Sequence, residues 1–84
     1  MEYDVVNVRP VMPMALQVWF ADGTTGQVRF EPSYLTGVFE ALKDPNVFAQ
    51  ARIDAGAVTW PGDLDLAPDA MYAEIKSRGE WVLR

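Results

Sequence analysis

Four acidic residues, Asp63, Asp65, Asp69 and Glu74, fall at positions 1, 3, 7 and 12 of a twelve-residue frame, the places where a calcium loop carries oxygen ligands. Such a loop holds a hard cation with converging carboxylate and carbonyl oxygens, and the chain must turn sharply between them. The rest of the frame is wrong for that chemistry. Position 5 is Ala67 in place of an oxygen ligand, position 6 is Pro68 where a glycine makes the turn, and no helix is expected before Asp63. Local structure accounts for the same residues more fully. With Ala67 as N-cap, Pro68 takes the first helical position, where its missing N–H costs nothing, and Asp69 lies in the first turn, where the helix dipole favours a negative charge. Leu66 and Met71 then form a hydrophobic staple, Asp65 accepts a backbone N–H nearby, and Asp63 belongs to a turn with Gly62. No metal site is assigned. Trp60, Asp63, Asp65 and Asp69 are kept as an acidic loop available to a cation or a small molecule.

Other chemistry has few residues to use. The chain contains neither cysteine nor histidine, which removes thiol nucleophiles, disulfides, zinc sites and the usual general base near neutral pH. Ser33, Thr24 and Thr25 therefore have no imidazole partner, and no motif couples Lys43 or Lys76 to a serine. No spacing places two acids across a cleft as glycoside chemistry requires. Tyr3, Tyr34 and Tyr72 read as amphipathic packing residues. The expectation is a protein that is not an enzyme, with no cofactor and no catalytic residues.

Charge narrows the partners. Twelve acidic side chains against seven basic ones give a net charge of −5. The basic residues Arg9, Arg29, Lys43, Arg52, Lys76, Arg78 and Arg84 are scattered, whereas a phosphate backbone is held by clustered Lys and Arg. Direct nucleic-acid binding is not expected. The opening M-E-Y-D-V-V has no basic stretch followed by an apolar run, and no segment approaches roughly 18 apolar residues, so the chain reads as cytoplasmic with no membrane association.

The elements that position these residues follow from length and patterning. At 84 residues, half of them apolar and 23% charged, the chain reads as one globular domain over residues 1–84. A chain this short buries only about 60–65% of its unfolded surface, so its core is small. Tyr3 to Arg9 reads as a strand with Val6 and Val8 on one face, and Pro10 to Pro13 as a linker that cannot sustain a ladder. Two further strands flank Ala21-Asp22-Gly23. A two-residue turn would set one strand's apolar face beside the other's polar face. A three-residue loop with Gly23 left-handed instead pairs Phe20 with Thr24, Val18 with Gly26, Leu16 with Val28 and Met14 with Phe30.

Leu35, Val38, Phe39 and Leu42 recur at helical spacing, which predicts a helix from Pro32 or Ser33 to Lys43, closed by Asp44-Pro45, with Gly37 letting it lie close on the sheet. A second hairpin turns at Ala55-Gly56, pairing Ile53 with Val58 and Ala51 with Trp60, so that Phe48, Gln50 and Arg52 face the other way. Pro68 to Arg78 is a second helix with Gly79 as its stop, and Glu80 to Arg84 follows as a short strand or an extended tail. The expected fold is α+β: a small antiparallel sheet of about five strands, arranged as three strands, helix, β-hairpin and helix, with the helices on one face.

That arrangement leaves the other sheet face open. Trp19 projects from it beside Gln17, near Phe48 and Arg52, and an exposed aromatic patch marks a protein contact. The competing arrangement has the tail carrying Trp81 fold over Trp19. These four residues form the candidate surface for a partner, expected to be another small protein or a second copy of the chain.

The run F-E-A-L-K-D-P-N-V-F-A-Q-A-R-I-D-A-G-A-V-T-W-P, followed by D-L-A-P-D-A-M-Y, resembles the bacterial family called domain of unknown function 2442. The similarity extends from about Val5 to Tyr72, with the A-D-G hairpin leading, and departs at P-G-D-L-D, where P-N-G-A-D is more usual. The resemblance implies a small α+β fold with no established catalytic residues to carry over. It also implies relatives joined to helix-turn-helix domains, although these 84 residues include no such segment, and gene pairs regarded as toxin–antitoxin-like. On that basis the chain is read as an interaction module, the acidic, antitoxin-like half of a two-protein system. The alternative is a small-molecule or cation-binding domain.

Overall fold

A computed structural model describes all residues from Met1 to Arg84. Two sheets and two α-helices enclose one core. The strands are β1 (Val5–Val11), β2 (Ala15–Phe20), β3 (Thr25–Phe30), β4 (Arg52–Asp54), β5 (Ala57–Trp60), β6 (Leu64–Asp65) and β7 (Glu80–Leu83). The helices are α1 (Pro45–Phe48) and α2 (Pro68–Arg78), preceded by 3-10 segments at Pro32–Tyr34 and Gly37–Lys43. A large sheet has the order β1-β2-β3-β7 and a small sheet the order β4-β5-β6. The class is α+β as expected, but the division into two sheets replaces the single sheet of about five strands.

The first hairpin pairs Leu16 with Val28 and Val18 with Gly26, and Phe20 N–H donates to the Thr24 carbonyl at 2.8 Å. Gly23 supplies the positive φ, +90°, that closes the three-residue loop. This register places Leu16, Val18, Phe20, Val28 and Phe30 together in the core. β1 departs from simple alternation. A bulge between Val5 and Asn7 turns Val5 into the core and leaves Val6 58% exposed, so Val6 and Val8 do not share a buried face. Nor is Pro10 to Pro13 a linker. Pro10 lies opposite Leu16 and Val11 opposite Ala15, so only Met12 to Met14 are left to make the hairpin turn, and the Met12-Pro13 peptide is cis. Proline is tolerated here because β1 is an edge strand of its sheet.

The expected first helix is broken. Gly37 adopts φ +58°, preceded by extended Thr36, so Leu35 and Leu42 reach the core from separate segments while Val38 stays 72% exposed. A Cβ on Gly37 would meet nothing within 4 Å, so the glycine serves backbone conformation and not close packing. Asp44 then opens a new turn of helix, its carboxylate accepting from Asn46 N–H at 2.9 Å. That turn carries Phe48 inward, to 1% exposure, where a strand was expected to send it outward. The second hairpin pairs Ile53 with Val58 as predicted, but β4 begins only at Arg52, so Ala51 does not enter the ladder opposite Trp60.

Trp60 is the hub of the core. Its indole lies 6.0 Å from the ring of Phe30 and 6.1 Å from that of Phe48, and its Nε1–H donates to the Phe48 carbonyl at 3.0 Å. These contacts join the small sheet to the inner face of the large one. α2 completes the layer. Ile75 packs over Gly26, where a Cβ would stand 2.6 Å from Cγ2 of Ile75 and 2.8 Å from the Gly79 carbonyl. Gly79 ends the helix at φ +81°, and β7 then runs parallel to β3, with Trp81 beside Val28 and Leu83 beside Phe30. The final segment is therefore a strand, and it makes the large sheet mixed instead of antiparallel.

Candidate functional site

Cross-strand neighbours share a sheet face, so the register defines the outer surface of the large sheet. One row runs Arg9, Gln17, Gln27, Glu80; a second runs Val11, Ala15, Arg29, Val82; a third joins Asn7, Trp19 and Thr25. α2, Phe48 and Trp60 all pack on the opposite side, against Gly26 and Phe30. Trp81, aligned with Val28, also faces inward. It cannot cover Trp19, which remains half-buried on the uncovered face. Gln17 beside it is held in place: its Nε2–H donates to Thr25 Oγ1 at 2.7 Å, and that hydroxyl donates to the Val18 carbonyl at 2.8 Å. Arg29 Nε meets Glu80 Oε1 at 3.0 Å across the β3–β7 pair.

Of the four residues expected to form the partner surface, the structure brings together Trp19 and Gln17 alone. Phe48 is core, for the reason given by Asp44 and its helix turn, and Arg52 belongs to the small sheet. Arg9, Gln27, Arg29 and Glu80 take their place. Arg9 and Gln27 follow from the predicted alternation, whereas Glu80 enters only through the parallel pairing of β7.

The acidic loop is also redistributed. Trp60 is fully buried and faces away from solvent. Asp69 serves its helix start, its Oδ1 accepting from Ala70 N–H at 2.9 Å, while Leu66 and Met71 are buried as a staple requires. Asp63 turns with Gly62 at φ +63°, a conformation that aspartate tolerates better than most residues. Asp65 lies in β6 opposite Thr59, and no hydrogen bond reaches its carboxylate, so it does not take the backbone N–H expected of it. Asp63 and Asp65 nevertheless share one depression of about 290 Å³ with Asp54, a residue not singled out from the sequence. Its signal was present: pairing Ile53 with Val58 sets Asp54 on the outer face with Arg52. No three acidic side chains stand close enough together to grip a single metal ion.

A third feature was missed. Tyr72 on α2 donates to Asp22 in the first hairpin loop, and Asp22 also accepts from Thr24 N–H at 2.9 Å. The Tyr72 bond first, and those from Thr24 next, hold the Asp22 carboxyl down at about 2. The same bond raises the Tyr72 phenol above its ordinary value, with desolvation adding to it. Tyr34 is raised too, by burial.

The model of one family, described as protein of unknown function DUF2442, matches residues 5–77. The chain belongs to this family. The DUF2442 match spans β1 to the last turn of α2, so it includes Trp19 and the three aspartates of the depression, while β7 lies beyond it. It bears out the resemblance read from the W-P turn and the D-L-A-P helix start. No curated protein and no solved structure matches the chain. No helix is long and apolar enough to cross a membrane.

Proposed function

We propose that this DUF2442 chain is a non-enzymatic interaction module that binds another small protein through the outer face of its large sheet. The observation that carries this reading is Trp19, half-buried on the face of the large sheet opposite α2, Phe48 and Trp60. An indole offers a large rigid apolar area at low entropic cost, and arginine and tryptophan are enriched where interfaces concentrate their binding energy. Asn7 and Thr25 flank it across the strands, Arg9, Gln17 and Gln27 form the next row of the same face, and Arg29 stands one row beyond. The lack of histidine and cysteine supports the non-enzymatic part of the reading.

A basic partner suits the net charge of −5, as in the antitoxin-like half of a two-protein system. Asp54 and Asp65 belong to the small sheet and Asp63 to the turn before β6, whereas Trp19 belongs to the large one, so in this reading their field steers approach while the tryptophan face makes contact. The test is copurification of the tagged chain with the product of the neighbouring gene. A stoichiometric complex lost on Trp19→Ala supports the reading, and a complex indifferent to that substitution refutes it.

The three aspartates around one depression favour a second reading, capture of an extended organic cation. Because no three acids converge on a point, a polyamine suits their spacing better than a metal ion. Calorimetric titration with spermidine, calcium and magnesium decides it. Heat from spermidine alone, abolished by Asp54→Asn, is the expected result, and silence from all three ends the idea.

A further inference from the structure

The outer edge of β7 has no strand paired to it. Glu31 N–H donates to the Leu83 carbonyl at 2.8 Å, which turns the backbone groups of Leu83, and by alternation those of Trp81, toward β3. The N–H and C=O groups of Glu80 and Val82, and the N–H of Arg84, therefore point away from the sheet. They border an open groove of about 460 Å³, lined by Glu74 and Arg78 of α2 and by Glu80, Trp81, Val82 and Arg84. At the other edge of the sheet, β1 is partly closed by the second hairpin, since Val5 N–H donates to the Gly56 carbonyl at 2.9 Å. β7 is thus the edge available for strand addition.

We infer that a second copy of this chain pairs with β7 antiparallel, about a two-fold axis through Val82, joining two large sheets into one. The sequence E-W-V-L-R is self-complementary in that register. Val82 faces Val82, Trp81 faces Leu83, and Glu80 faces Arg84 on both sides of the axis. The three outward-facing residues oppose one another, so each pair is a hydrogen-bonded one. Sliding the register by two residues keeps outward groups matched but separates Glu80 from Arg84. Among the devices that keep edge strands from pairing are charged side chains, lysine above all, which repel a like-charged neighbour. Here opposite charges flank the centre, and an isologous contact brings them together twice.

Four residues of edge bury little area, so the dimer is weak and concentration-dependent. This inference does not depend on the sheet-face reading, because it uses the backbone edge of β7, two strands away from Trp19, and shares only Glu80 with the surface described around that residue. The experiment is sedimentation equilibrium of the full chain, with amide hydrogen exchange at low and high protein concentration. Expected are a reversible monomer–dimer equilibrium and protection of the Val82 amide that grows with concentration. Arg84→Glu, an exposed change that spares the core, sets like charges opposite each other at both ends and weakens the dimer about tenfold or more. A chain that stays monomeric to about 1 mM overturns the inference. So does a dimer that leaves Val82 exchange unchanged, since its interface lies elsewhere. The exchange measurement needs no variant and stands even where a substitution disturbs folding.

Discussion

Tyr72 and Asp22 lie 50 positions apart, yet the phenol donates to the carboxylate across 2.5 Å. The bond ties the second turn of α2 to the loop of the first hairpin, and the Tyr72 ring meets Phe20 edge-on at 5.2 Å just beneath it. Asp22 therefore closes its own turn through Thr24 and anchors the helix that covers the sheet.

This pairing has a defined pH window. The Asp22 carboxyl titrates at about 2, below its ordinary 3.8, so its contribution to stability is present at neutral pH and lost as pH falls toward 2. The Tyr72 phenol is shifted upward, so its contribution is present below the ordinary tyrosine range and lost as pH rises beyond it. Tyr72→Phe keeps the ring on Phe20 and releases Asp22, whose midpoint then moves up toward 3.8. Carboxyl-carbon NMR titration of both proteins checks this, and an unmoved midpoint contradicts it.

Trp60 tests the core. Trp60→Ala removes a fully buried ring that joins the two sheets and is expected to cost about 3–5 kcal/mol, enough to unfold a domain of this size or bring it close to unfolding. Trp60→Phe retains most of the contact with Phe30 and Phe48 but leaves the Phe48 carbonyl without its donor, a loss of about 1–3 kcal/mol. Urea unfolding followed by far-ultraviolet circular dichroism ranks the two.

Two glycines separate steric from conformational demands. Gly26→Ala drives a methyl into Ile75 and the Gly79 carbonyl, and the overpacking costs about 1–3 kcal/mol. Gly37→Ala meets no neighbour, so its cost of about 1–2 kcal/mol comes from a left-handed backbone alone. Asparagine tolerates that conformation. Gly37→Asn is therefore expected to recover part of the loss in thermal melts, while Gly26→Asn is worse than Gly26→Ala.

Features decided by nearby residues were legible in the sequence. The Ala21-Asp22-Gly23 loop determines which faces meet, Pro68 and Gly79 mark the ends of α2, and Ala55-Gly56 sets Ile53 against Val58. Where two local signals competed, the reading failed: Asp44-Pro45 stops one segment but also starts the next, and that second role buries Phe48. The spacing of Leu35, Val38, Phe39 and Leu42 suits a helix, yet Gly37 in a left-handed conformation overrides it. The bulge at Val6 has no signature in a run of β-branched residues. Of the candidate surfaces, Trp19 and Gln17 were visible through alternation, because period two follows from the strand itself. The place of Glu80 was hidden, because it depends on β7 meeting β3 across the whole intervening chain.

That late pairing bears on how the molecule assembles during synthesis. The β1–β2–β3 meander needs only hairpin closures and can form while the ribosome is still making the rest. The free side of β3 stays bare until the residues after α2 emerge, more than fifty positions later. In the interval the nascent meander presents both the free edge of β3 and the inner face carrying Leu16, Val18, Phe20, Val28 and Phe30 to its surroundings.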